Sequence, residues 1–167
     1  MRTALDADPA KLDKHEQNFV AKIREHGWFQ TAVFADQEGP GFAYTTGFWL
    51  NRNFPEIITF AMKDSLVHDV FWDLFRKLGS GEKLPVREPT GAVFRNLPAI
   101  LLPVSPRQFK EYLGWSRWFY AGDNFQCLQL VWTDRSGRFP WDVDFSDEFM
   151  SLQPDLTDEH WAGLGMH

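Results

Sequence analysis

Phe125-Gln126-Cys127-Leu128-Gln129-Leu130-Val131-Trp132-Thr133-Asp134-Arg135-Ser136-Gly137-Arg138-Phe139-Pro140-Trp141-Asp142 is the stretch that decides the fold. Side chains alternate along a strand, so Phe125, Cys127, Gln129 and Val131 fall on one side. Gln126, Leu128, Leu130 and Trp132 fall on the other. Apolar groups on both sides predict an interior strand over 125–132, covered on two faces. Its glutamines then need buried partners or a polar cavity, because an unpaired buried amide costs about 1–3 kcal/mol. Thr133 to Gly137 reads as a tight polar turn in which Asp134 bonds its own backbone. Phe139-Pro140-Trp141-Asp142 leads out of it.

Working outward, 167 residues suffice for one domain with a core of its own, read here as about 9–153 followed by an acidic tail over 154–167. Aromatics are 16% of the chain, with 16 Phe and 8 Trp, which implies a bulky core or an aromatic cleft. The single cysteine, Cys127, excludes an internal disulfide and a cysteine-based zinc site. No apolar run approaches the ~18 residues of a membrane span, and no signal peptide is visible. A cytoplasmic protein is the expectation. Net charge is −6, and beyond Arg138 there are seven acidic residues and no Lys or Arg. That acidity argues against nucleic acid and membrane partners and is compatible with a basic protein partner. Its plainer explanation is a solvated tail.

Asp8-Pro9 and Gly27 bracket a predicted helix over 9–25 with Leu12, Phe19, Val20 and Ile23 inward. Strands follow at 28–35, 42–50 and 56–62, the first two as a hairpin around Asp36–Gly41. Asp64 is expected to cap a helix over 65–78 whose apolar face runs from Leu66 to Leu78, with His68, Asp69, Asp73 and Lys77 opposite. Residues 79–91 read as a loop and 92–104 as one or two short strands. Ser105-Pro106 opens a short helix to about Leu113, and 115–122 reads as an aromatic connector. The sum is α+β: a mostly antiparallel sheet with about three helices packed on it.

His26-Gly27-Trp28, Gly39-Pro40-Gly41-Phe42-Ala43-Tyr44-Thr45-Thr46-Gly47, Pro55-Glu56-Ile57-Ile58, Phe119-Tyr120 and the Leu128–Trp132 strand with Gly137-Arg138-Phe139-Pro140-Trp141 carry a resemblance. In this order the chain is similar to the bacterial domain of unknown function 4262 family over about residues 19–153. Phe54 stands where a histidine often precedes the Pro-Glu pair, which removes any histidine role from that loop. Phe48 replaces a more typical Leu, and Thr133 a usual Pro. The resemblance implies no activity.

Several groups are candidates for chemistry. Tyr44-Thr45-Thr46-Gly47 follows glycines at 39 and 41 that permit close backbone approach, and its Thr hydroxyls suit a phosphate or carboxylate, but no lysine or strand-to-helix step follows as in a P-loop, and a hairpin strand is the plainer account. Histidine is the ordinary acid–base residue of neutral pH, and His26 sits at a helix C-terminus, where bonding the last carbonyls is its structural alternative. His15 and His68 are placed on solvent faces, and His160 and His167 in the tail. Cys127 in an interior strand is a core residue rather than a nucleophile. Asp142, beside Trp141, is the better general-base candidate. No metal-ligand spacing occurs, so no metal and no cofactor are expected.

These observations lead to a binding module. Tyr44, Thr46, Tyr120, Gln129 and Trp141, with Asp142, would frame an aromatic cleft for a small molecule or a protein partner, with His26 near one end. Immunity-like neutralisation is one form of such a role. The alternative is a cofactor-independent enzyme, such as a hydrolase, with His26 and Asp142 as acid and base and Tyr44 orienting substrate.

Overall fold

A computed structural model describes residues 1–166; His167 lies outside them. Five strands form one sheet: β1 (Phe29–Val33), β2 (Phe42–Thr46), β3 (Glu56–Phe60), β4 (Ala99–Pro103) and β5 (Cys127–Trp132). Their spatial order is β1-β2-β3-β5-β4. All pairs are antiparallel except β3 with β5. The helices are α1 (Lys14–His26), α2 (Phe48–Arg52), α3 (Asp64–Gly79), α4 (Phe109–Tyr112) and α5 (Gly114–Phe119). The α+β architecture and mostly antiparallel sheet are as expected, with three substantial helical regions and two short helices in place of predicted strand and connector.

β5 is the interior strand its two apolar faces require, with β3 on one side and β4 on the other. Leu128 and Leu130 pack with Ile57, Ala99 and Leu101 beneath α3, whose Val67, Val70, Phe71, Leu74 and Phe75 close that layer. The opposite face holds Tyr44, Ile58, Phe60 and Cys127 against Phe19 and Ile23 of α1 and Phe109 and Phe119. A smaller cluster of Ile100, Leu102, Val131 and Phe139 lies at the β4 end.

The local departures have identifiable causes. Asp8 does cap a turn at Pro9–Lys11, but α1 begins later, where Asp13 and Glu16 form a reciprocal capping box. Asp64 is the first residue of α3 rather than its cap, and Lys63 precedes it without a side-chain cap bond. Leu66, placed on the buried stripe, is 48% exposed. The second strand stops at Thr46 because Gly47 adopts φ 119, a conformation that favours glycine. A Cβ at Gly47 would also lie 2.4 Å from the Gly27 carbonyl oxygen. The chain then turns into α2, which the expected strand over 42–50 had hidden.

The segment read as a solvated acidic tail is fastened to the sheet instead. Just before it Gln153 exchanges two bonds with the backbone of Trp132, and within it the Leu156 carbonyl accepts from Ser105 N–H. Asp155 accepts from Thr157 and Trp161 N–H, so part of the acidity serves local turns.

Candidate functional site

Two polar constellations stand out, one sealed and one open. The sealed one is built around Glu56, the first residue of β3, which has no solvent exposure. Its carboxylate accepts from the backbone N–H of Gly47, Phe48 and Trp49 at 3.0–3.1 Å. The hydroxyls of Thr45 and Tyr120 donate to it at 2.7 and 2.5 Å. Thr45 Oγ1 itself accepts from Ile57 N–H, and the Tyr120 hydroxyl accepts from Gly47 and Leu50 N–H. Those acceptances commit both hydroxyl protons to Glu56. Burial pushes the Glu56 carboxyl above the usual carboxylate range, while bonds from Tyr120, Thr45, Trp49 and Gly47 pull it back. Burial, then the charge of Glu56, raises the Tyr120 phenol. The anion that the Thr45–Gly47 segment receives is therefore the chain's own. It satisfies the first N–H groups of α2, which lack partners within the helix.

The other predicted cleft residues are also bound into the interior. Tyr44 and Gln129 do face the same side, since Tyr44 pairs with Ile58 and Ile58 with Gln129 in one row across the sheet. No open space joins them in the arrangement drawn from sequence. Tyr44 accepts from Trp115 N–H at 3.0 Å, and burial raises its phenol. Thr46 meets Ser116 at 2.6 Å, and Ser116 donates to the Thr45 carbonyl, so Thr46 is the donor of that pair. Gln129 donates to the Pro154 carbonyl and accepts from Leu156 N–H. Its amide is the clasp that holds the C-terminal segment on β5. Trp141 lies apart from all of these, stacked on Phe139 at 5.0 Å and edge-on to Trp161.

His26 and Asp142 are not brought together. His26 precedes β1 at one edge of the sheet, while Asp142 accepts from Phe139 N–H at the β4 end. Four strand spacings of about 4.8 Å separate those edges, on the order of 19 Å. Cys127 is buried, and burial raises its thiol well above the ordinary range, as befits a core residue. Asp134 fastens its turn by accepting from Arg138, Ser136 and Ser146 N–H, which lowers its pKa. Among the described residues no cluster of His, Cys, Asp and Glu has a metal-binding arrangement, and no helix is long and apolar enough to cross a membrane.

The open constellation is a groove of about 730 Å³ along β1. Lys22 and His26 of α1 form one wall, and Asp64, Ser65, His68, Asp69 and Trp72 of α3 form the other. Trp28, Phe29, Gln30 and Ala32 make the floor. Trp28 is buried, its ring edge-on to Trp72 at 5.3 Å and tilted against His68 at 5.6 Å. His26 lies edge-on to Trp72. His68 Nδ1 meets Gln30 Oε1 at 3.0 Å. Of the site residues expected from sequence, only His26 lines this groove. His68 does lie on the exposed face of α3, but that face borders the sheet edge rather than bulk solvent alone. The signal that points to it is the Asp64-His68-Trp72 spacing of one helical turn each, set against Trp28 immediately after a helix stop.

No match was found among curated proteins or among solved structures. The family model described as "Domain of unknown function (DUF4262)" matches residues 22–146, from the α1 wall of the groove through the Asp134 turn and including the whole Glu56 network. Because that match covers most of the chain, the protein belongs to the domain of unknown function 4262 family.

Proposed function

We propose that the protein is a binding module and that the groove along β1 receives its ligand. The observation that carries this is the contrast in hydrogen-bond saturation. At Glu56, Tyr44, Thr46 and Gln129 the fold consumes its own polar groups. In the groove, aromatic walls carry Asp64 and Asp69, neither of which has an ion-pair partner among the described residues. Small-molecule and peptide sites have this composition, apolar walls with a few convergent polar groups, and volumes of roughly 300–1,000 Å³. A binding role fits better than acid–base catalysis by His26 and Asp142, which sit at opposite sheet edges. A cytosolic setting agrees with the one free, buried thiol.

Fragment screening by two-dimensional amide NMR tests this. Hits are expected to shift the indole N–H signals of Trp28 and Trp72 and the amides of 29–32 and 64–72. Hits that shift only residues outside these segments, or a diverse fragment set without any hit, would contradict it.

A further inference from the structure

We infer that the groove binds a basic protein segment in extended conformation, added as a sixth strand on β1; this rests on the groove being the binding site. The two outer edges of the sheet are unlike. β4 is covered: Arg87 N–H donates to the Leu101 carbonyl, and Thr90 and Ala99 exchange both backbone bonds. β1 pairs with β2 on one side, and on the other its backbone takes no hydrogen bond from elsewhere in the described residues. Nor does its sequence, Phe29-Gln30-Thr31-Ala32-Val33, carry the charges or proline with which exposed edges are ordinarily blunted. Val33 and Phe34 continue it at 40% and 82% exposure.

The walls complete a strand-sized slot. α1 packs on the sheet face of Tyr44 and α3 on the face of Ala43, so the open edge lies between two helices. An incoming strand alternates its side chains between the two walls. Gln30 and Ala32 lie on the α3 side, which Asp64 and Asp69 make acidic. Lys22, beside Glu25 at 3.8 Å, is the cation of the α1 side. Backbone bonds to β1 supply sequence-independent affinity, and alternate side chains supply specificity. Lysine or arginine at every second position complements the α3 wall. A second copy of this chain is the poorer occupant, because it brings the same acidic wall and a net charge of −6 against itself.

The test uses three labelled peptides and the intact protein. The first alternates threonine or valine with lysine, the second replaces lysine by glutamate, and the third is the lysine peptide with alternate backbone amides N-methylated. Fluorescence anisotropy is expected to detect the lysine peptide. At least about tenfold weaker binding is expected for the other two and for the D64N/D69N variant. Amide exchange at 29–33 should slow on binding. Equal binding of the glutamate or N-methylated peptide would overturn strand addition by a basic segment. So would a concentration-dependent dimer that protects 29–33 without peptide, since the occupant would then be a second copy. Fragment hits in the groove with no peptide binding would overturn this inference and leave the binding module standing; the absence of both would remove both.

Discussion

The Glu56 network and the β1 groove are two polar regions of this molecule, and they are opposites. Around Glu56 every donor has an acceptor and every acceptor a donor, down to the direction of both hydroxyl protons. Along β1 the backbone edge and two carboxylates are left over. Folding must satisfy buried polar groups, because leaving one unpaired costs more than a bond to it gains. Polar residues sealed inside therefore report on stability, and only the unsatisfied ones at a concave surface report on recognition.

The largest expected effect that sharpens this comparison is at Glu56. Glu56→Gln keeps the shape but turns an amide NH2 toward backbone N–H groups, which can only donate, and toward a hydroxyl already occupied as an acceptor. A loss of about 3–5 kcal/mol in denaturant unfolding is expected, as for breaking a buried charged network. A loss below about 1 kcal/mol would mean that the network is less committed than its geometry states.

Gln129→Leu comes next. It strands the Pro154 carbonyl and the Leu156 N–H, for an expected loss of about 1–3 kcal/mol. Exchange of the Leu156 amide should quicken, and fragment or peptide binding in the groove should not change. A variant that kept its stability but lost ligand binding would restore Gln129 as a site residue.

His68→Ala is the smallest. The residue is exposed and its one bond to Gln30 is at the surface, so stability should stay within about 0.5 kcal/mol of the parent. Ligand affinity in the groove should fall all the same. Unfolding and binding curves measured on the same preparation separate the two outcomes.

Much of the scaffold was legible in residue order. Two apolar faces in Cys127–Trp132 located the interior strand, and the stripe from Val67 to Phe75 located α3. Turn chemistry at Asp36–Gly41 announced the β1–β2 hairpin. The helix α2 was not legible, because Phe48-Trp49-Leu50 has strand-like composition and its first N–H groups are satisfied by Glu56 rather than by a local cap. The role of Glu56 was not legible either, since nothing within a few residues of it shows where Tyr120 comes to rest.

Composition and periodicity by themselves determined the fold class, the central strand and the core role of Cys127, since each follows from local patterns of burial and propensity. They also supplied the polar residues from which a site had to be drawn. Which of those residues are saturated was decided only by tertiary structure, because Tyr44 finds Trp115, Thr46 finds Ser116 and Gln129 finds Leu156 across separations that no local pattern encodes. Tertiary structure likewise decided that β1 is an open edge with α1 and α3 standing on either face of the sheet. An edge is a property of strand order, and strand order is set by long-range packing rather than by the residues of the strand.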